Sequence, residues 1–321
     1  MALTRRRLMM LTAGAMLAGC LPAKGGDSVR MSGRAFGTSW QVRLRGDGDL
    51  EALGRELVAA LERVDRSMSP FRADSAITRF NAAPAGWHTV DPDFFTVTAE
   101  ALRIATTSSG AFDPSVGPDV GRFGFGPIRG ERTGSHAGLA VAEGAVWKAD
   151  DHLTLDLCGI AKGFALDLMA ASIEVAGFTD FVAELGGEVL VRGTDVGGAP
   201  WRIGISDPVD GGLHAVVDTR GLALATSGDA VNAYSVGDRR YSHIIDPRTD
   251  EPVRGSVASV SVFADTAMTA DALATALMVM GPEKGMGFAV THHIPVVYLL
   301  RATEGSVDEI ASSAYDFHRT S

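Results

Sequence analysis

Five positions in this 321-residue sequence carry side chains suited to chemistry at a phosphate ester: Asp156, Lys162, His243, Asp271 and Thr275. Asp271 and Thr275 are four apart in Ala270–Met280, which reads as a helix, so their side chains share one face. A carboxylate and a hydroxyl are hard oxygen donors of the kind Mg²⁺ takes. His243 stands two residues after Tyr241 and four before Pro247, at the end of a predicted strand. Each position alone also has an ordinary reading: a capping Asp/Thr pair, a structural histidine, a solvated lysine. Zinc-type Cys/His spacings, a Gly-x-Ser-x-Gly elbow and a Walker motif are all missing from the sequence. In order, the five residues point to metal-aided phosphate chemistry, and by themselves they go no further.

The element that must position the first two is Asp156-Leu157-Cys158-Gly159-Ile160-Ala161-Lys162-Gly163. Leu153, Leu155 and Leu157 alternate with Thr154 and Asp156, the period of a strand with one buried face. Ile160, Phe164, Leu168, Ala171 and Val175 then mark the stripe of an amphipathic helix, closed by Gly177 as a left-handed cap. A helix start offers unpaired N–H groups and a positive dipole end, a seat for phosphate. A lysine in that first turn opposes the dipole, so Lys162 is expected to face something anionic. Cys158 beside the turn reads as a small buried residue.

Around this turn the chain alternates helices with many short strands. Leu50 to Val64 is a predicted helix capped by Asp49, and Asp91-Pro92 opens another with Phe95, Thr98, Leu102 and Ala105 on one face. Met68 to Ser75 is a polar loop holding Phe71. Gly110-Ala111-Phe112-Asp113-Pro114 and Phe123-Gly124-Phe125-Gly126-Pro127 form a long glycine–aromatic loop suited to lying against a flat ligand. Strands follow at Trp40–Leu44, Phe181–Glu184, Val189–Arg192, Trp201–Ile205, His214–Asp218, Leu222–Ala225, Val257–Phe263 and Val296–Leu300, with Thr226–Asp229 a polar turn. The helix from Ala270 stops at Gly281-Pro282, and a last one runs near Glu283 to Val290. There is no internal repeat or interior linker, so the folded part reads as one α+β unit. At 38 residues, glycine is about 12% of the chain against a usual ~7%, in keeping with many turns.

The N-terminus reads as a targeting segment. Arg5-Arg6-Arg7 precede a short apolar run, Leu8 to Ala18, of signal-peptide length. Leu17-Ala18-Gly19-Cys20 resembles the lipobox of bacterial lipoproteins, in which cleavage leaves a lipidated Cys20 as first residue. The expected organisation is residues 1–19 signal peptide, 20–30 tether and 31–321 domain, exported and lipid-anchored to a bacterial membrane on the periplasmic side. Loss of residues 1–19 removes three arginines and no acid, taking the formal charge from −10 to −13. An acidic chain of this kind argues against nucleic acid as partner. With Cys20 acylated, Cys158 is the remaining thiol and no disulfide forms.

The ordered motifs resemble the ApbE family of FAD:protein FMN transferases over nearly the whole mature chain. They are Phe36-Gly37-Thr38, Asp74 to Asn81, Gly110 to Pro114, Asp156 to Gly163, Thr226-Ser227-Gly228, Ser242-His243-Ile244-Ile245-Asp246-Pro247 and Ala270 to Thr275. The resemblance implies an α+β fold related to the T-fold, with a largely antiparallel sheet and packed helices. It implies a Mg²⁺-dependent enzyme that moves FMN from FAD onto a threonine or serine of an acceptor redox protein and releases AMP. Matched positions give Asp271, Thr275 and the backbone oxygens of Gly159 and Ala274 to the metal. They give Phe36, Phe71, Ala111, Phe112, Asp113, Asp156, Lys162 and Ile245 to FAD, and His243 to the transfer step. Phe36 stands where methionine is frequent in the family, Asp250 where glycine is common, and Cys158 where glycine or serine is usual. The same motifs are compatible with an FAD pyrophosphatase yielding FMN and AMP, and a flavin-carrying lipoprotein without catalysis could do without His243.

Overall fold

A computed structural model of the chain describes residues 28–230, 233–237, 239–302 and 305–320. The signal segment, Cys20 and most of the expected tether lie outside these residues. Ser28, Val29 and Arg30, the last three residues of that tether, already belong to the first strand.

The chain opens with β1 (Ser28–Ala35), β2 (Thr38–Arg45), α1 (Leu50–Met68), α2 (Ala76–Ala82), β3 (Gly86–Thr89) and α3 (Pro92–Thr107). It continues through α4 (Gly117–Arg122), β4 (Leu139–Ala142), β5 (Ala145–Lys148), α5 (Ala161–Val175), β6 (Asp180–Leu185) and β7 (Glu188–Arg192). Then come β8 (Ile203–Ser206), β9 (Leu213–Val217), β10 (Ala223–Gly228), β11 (Ala233–Val236), β12 (Arg239–Ser242), β13 (Ile245–Asp246) and β14 (Glu251–Pro252). The last elements are β15 (Val257–Ala264), α6 (Ala267–Thr291), β16 (Val296–Arg301) and β17 (Val307–Ala311).

Eight strands form the main sheet in the order β1-β2-β6-β7-β10-β15-β16-β17, each neighbouring pair antiparallel. Its central strands are apolar on both faces because both are covered. Phe181, Ala183, Leu190, Val260 and Val262 join one core with Leu57, Ile173 and Leu277 from the helices. Val182, Val191, Leu224 and Phe263 on the opposite face pack with Trp201, Ile203 and Val217 of the β8–β9 hairpin and with Tyr315. Each fully buried Val, Leu or Phe contributes roughly 1.5–3 kcal/mol.

Local signals placed the helix ends. Asp49 accepts from Ala52 N at 2.9 Å and Asp91 from Phe94 N at 2.9 Å, each capping the helix it precedes. Gly177 ends α5 at φ 89, and Gly281 (φ 73), followed by Pro282, breaks α6 where the sequence predicts two helices. The expected strand over Leu153–Leu157 is extended chain and not part of a ladder. Its leucines are buried as predicted, but the amide of Asn81 takes the place of a strand neighbour. Asn81 Nδ2 donates to Leu155 O at 2.8 Å and Leu155 N donates to Asn81 Oδ1 at 2.7 Å. Asp156 N donates to Pro114 O at 2.7 Å. The stripe expected on α5 is also corrected: Val175 is 90% exposed and Ala171 exposed, while Leu166, Met169 and Ile173 are buried. The helix is packed by α1, α6 and the sheet together, so its buried surface is wider than one stripe and rotated from it. Thr226–Gly228, expected as a turn, extend β10.

Candidate active site

One end of the sheet carries the site. Phe36 (φ 49) and Gly37 (φ 76) make the two-residue turn between β1 and β2, both left-handed as such a hairpin requires. A bulky residue at positive φ is uncommon and marks a position worth a functional hypothesis. The β6–β7 turn beside it uses Gly186 (φ 63) and Gly187 (φ 112). A Cβ on Gly186 would stand 2.7 Å from Thr38 Cγ2, so the two turns are pressed together. By register, the last residues of β10, Thr226 to Gly228, reach the same end.

Onto this end come the start of α5 and the middle of α6. Ile160 precedes α5 and cannot cap it through its side chain. Asp271 of α6 supplies the missing acceptor, taking Gly163 N on Oδ2 at 3.1 Å. The two helices nearly touch there: a Cβ on Gly163 would lie 2.1 Å from Ala267 O. Lys162 does face anions, as expected, and they are carboxylates of the protein. Its Nζ lies 2.8 Å from Glu188 Oε1 and 3.4 Å from both oxygens of Asp271. Burial works to lower the Lys162 pKa, but Asp271 and Glu188 together outweigh it and raise it, so the ammonium stays charged at every physiological pH. Such a lysine binds anions and does not act as a base. Burial pushes the Glu188 carboxyl up, the Lys162 charge pulls it down and that of Asp271 adds to the rise.

One turn further along α6, Thr275 Oγ1 is 3.3 Å from Ser227 Oγ at the end of β10. Gly159 lies under both Phe112 and Thr275: a Cβ there would meet Phe112 Cε2 at 3.2 Å and Thr275 Oγ1 at 3.4 Å. Ala274, between Asp271 and Thr275 on the chain, is fully buried, as is Ala111 to within 4%. Asp156 is buried, receives Cys158 N at 2.9 Å and packs under Gly117, whose Cβ would be 3.1 Å from Asp156 Cβ. Cys158 itself is exposed, which corrects the buried reading. Protein nonetheless crowds its thiol, and that crowding, followed by the charge of Asp156, pushes its pKa well up, away from nucleophilic use.

Asp113 is turned inward. Ser115 N and Oγ donate to Oδ1 at 2.9 and 2.7 Å, His136 N donates at 3.1 Å to each oxygen, and His136 Nδ1 lies 3.0 Å from Oδ2. Its carboxylate holds the loop, so what Asp113 can offer a ligand is backbone. Phe71 stands 68% exposed after α1, beside Arg72, whose guanidinium is engaged by Asp65 and Asp74. Its ring stacks on no other aromatic ring among the described residues.

His243 follows β12 directly and lies edge-on to Phe125, ring centroids 6.2 Å apart. Phe125 stacks on Tyr234 at 5.3 Å and Tyr234 on Tyr241 at 5.1 Å, an aromatic ladder leading to the histidine. Ile245 is buried in β13. The segment from Gly117 to Arg132 joins the two halves of the site. It touches Asp156 at Gly117, His243 at Phe125, and the turn after β13 through Arg132, which donates to Pro247 O at 2.6 Å.

Among the described residues no three of His, Cys, Asp or Glu gather as a metal cage. A zinc-type centre therefore has no counterpart there. Mg²⁺ needs less from a protein, commonly one or two carboxylates with substrate phosphates and water completing its shell. The buried Asp271 carboxylate, the paired Thr275 and Ser227 hydroxyls and the close approach of Gly159 fit that requirement.

The same fold recurs in solved flavin transferases. The flavin transferase ApbE from Vibrio cholerae superposes with a TM-score of 0.82 at 35% identity, over 90% of this chain and 98% of that one. The flavinyl transferase ApbE of Pseudomonas stutzeri, in its apo form, gives 0.81 at 31% identity over 92% and 98%. In sequence, an FAD:protein FMN transferase of Vibrio cholerae is 36% identical over 97% of this chain and 98% of its own. A family model described as the ApbE family matches residues 36–298. The chain belongs to the ApbE family.

Several residues of the site carry little signal in the linear sequence. Glu188 meets Lys162 from the helix-covered face of the sheet, and its linear signal is a Gly-Gly turn with a glutamate on each side, Glu184 and Glu188. Ser227 stands in Thr226-Ser227-Gly228, where nothing linear pairs it with Thr275. Asp167 accepts from Ala267 N at 2.8 Å and Met268 N at 2.9 Å and so caps α6, a contact 100 residues away in sequence.

Proposed function

We propose that this flavin transferase moves the FMN half of FAD onto a threonine or serine hydroxyl of a partner protein, using Mg²⁺ and releasing AMP. The acceptor oxygen attacks the FMN phosphorus, the pyrophosphate P–O bond breaks, and AMP leaves with the bridging oxygen. The hydroxyl proton passes to a base, the role given to His243. Mg²⁺, when bound, would neutralise charge developing on the pyrophosphate oxygens. Asp271 and Thr275, with the backbone of Gly159 and Ala274, would hold it. Lys162 would bind a phosphate oxygen as a fixed positive charge. Phe36, Ala111, Phe112, Asp113, Asp156, Ile245 and the exposed ring of Phe71 would line the FAD site, Asp113 through its backbone.

The observation that carries this reading is the meeting of a buried carboxylate, two hydroxyls and a permanently charged lysine at one sheet end. Hard oxygens for a cation stand next to a cation for an anion, the arrangement a metal–pyrophosphate ligand needs. A lipid-anchored, periplasm-facing protein follows from the charged run, the short apolar core and the Cys20 junction. No helix among the described residues is long and apolar enough to cross a membrane.

The test is the intact mass of a candidate acceptor domain incubated with the full chain, FAD and Mg²⁺. Addition of one FMN to a threonine or serine is the expected result. AMP and free FMN with no gain in acceptor mass would assign the pocket to hydrolysis instead.

A further inference from the structure

We propose that Glu188 is a positioning residue that holds the Lys162 ammonium off Asp271 and so keeps that carboxylate open to a cation. The inference rests on the reading of Asp271 as a metal ligand. Lys162 Nζ makes its close contact, 2.8 Å, with Glu188, and stands at 3.4 Å from both oxygens of Asp271. A charge-assisted N–H···O bond is normally about 2.7–2.9 Å, so the bond to Glu188 has the strong length and the two to Asp271 are long and weak. Glu188 cannot follow the lysine. It is the first residue of β7, two after Gly186, which is pressed against Thr38, and its side chain is 3% exposed.

The placement is not explained by stability. Glu188 Oε2 is buried with no hydrogen-bond partner, and a half-satisfied buried carboxylate is costly. Geometry gives the benefit. Without Glu188 the nearest partner of the Lys162 ammonium would be Asp271 itself. With Glu188 the lysine has a closer partner that is not read as a metal ligand, and it remains directed at the anion that accompanies the cation. Removing Glu188 should let the ammonium settle on Asp271 and compete with the metal for it.

The experiment is calorimetric titration of Mg²⁺ into the full chain for wild type, Glu188→Gln, Lys162→Met and the double variant, each checked by thermal melting. Glu188→Gln should weaken Mg²⁺ binding by about 10- to 100-fold, the usual loss when a group that orients a metal ligand is removed. In the Lys162→Met background the same change should have little effect. There is then no ammonium to hold back, and a buried, unpaired Glu188 takes up a proton. Wild-type affinity in Glu188→Gln would overturn the proposal while leaving Asp271 as ligand. An equal loss in both backgrounds would also overturn it, by making Glu188 a ligand in its own right. Should Glu188→Gln fail to fold, Glu188→Asp takes its place: the shorter side chain draws the carboxyl back from Lys162, so weaker Mg²⁺ binding is expected, and wild-type affinity would overturn the proposal. Absence of Mg²⁺ binding by the wild type would overturn the metal reading and this inference with it.

Discussion

Asp167 and Asp271 cap each other's helices. Asp167, on α5, accepts from the first two N–H groups of α6 at 2.8 and 2.9 Å, and Asp271, on α6, accepts from Gly163 N at the start of α5 at 3.1 Å. The exchange locks the crossing of α5 over α6 that brings Lys162 and Asp271 together. The site and the packing are therefore one construction, and three of the predictions below separate them.

Gly163→Ala should disrupt that crossing. The new Cβ would lie 2.1 Å from Ala267 O and 2.5 Å from its carbonyl carbon, and backbone cannot yield as a side-chain tip can. Overpacking of this kind costs about 3 kcal/mol. Urea unfolding measures it. A loss within about 0.5 kcal/mol would mean that the helices are not this close.

Asp167 gives the fold a pH dependence of definite sign. Burial, against the pull of its two N–H bonds, raises its pKa from 3.8 to about 6. The folded chain therefore holds a proton that the unfolded chain has lost between those values. Its contribution to stability is full below about pH 4 and is lost as pH rises through 6. Wild type should be about 1 kcal/mol more stable at pH 5 than at pH 7 from this group, and Asp167→Asn should lack that difference. Denaturant titrations at the two pH values test it, and equal slopes for both proteins would remove Asp167 as the cause.

Which parts were legible in the sequence follows from the range of the interactions. Asp49, Asp91, Gly177 and Gly281 act on their own or next-turn backbone, so their roles could be read locally. Leu153 to Leu157 shows the limit. Alternation predicted burial correctly, but whether a strand forms depends on the partner, and that partner is the side chain of Asn81, 74 residues away. The α5 stripe failed for a related reason, since a helix packed on several sides has no single apolar face to read. Asp271 and Thr275 could be paired by their spacing, whereas Ser227 meets Thr275, and Glu188 meets Lys162, only once helices pack on the sheet.

Asp271 serves the fold as well as the site. It is 4% exposed and accepts Gly163 N, so Asp271→Ala should cost about 1 kcal/mol as a lost cap. Asp271→Asn keeps an acceptor there and is the cleaner variant. It should remain folded and lose FAD turnover at saturating Mg²⁺ by about 100-fold, since charge stabilisation of about 3 kcal/mol is at stake. Turnover equal to wild type would sink the metal assignment.

Cys20→Ser tests the anchor. The lipobox reading requires that the substituted protein fail to be lipidated, so it should leave the membrane fraction after expression in a bacterial host. A processed Cys20→Ser protein that still partitions fully with membranes would rule out lipid as the tether.

His243 decides whether the pocket transfers or merely binds. A threonine hydroxyl is a weak nucleophile at neutral pH, so attack at phosphorus gains from a base within hydrogen-bond reach. An imidazole, with an unperturbed value near 6.5, suits that task. Lys162 does not, because its carboxylate neighbours keep it charged. His243 sits at the end of β12, edge-on to Phe125, on a segment whose next residues, Ile244 and Ile245, are buried. The buried Ile244 and Ile245 anchor the chain next to it. His243→Ala should bind FAD and Mg²⁺ as wild type does and lose acceptor flavinylation by roughly 10²- to 10⁴-fold, the range for removal of a general base. Both quantities are measured on one preparation, binding by titration and FMN attachment by mass. Flavinylation at the wild-type rate would make the histidine structural. Joint loss of binding and transfer would instead place it among the groups that shape the FAD site, with Phe125 as its support.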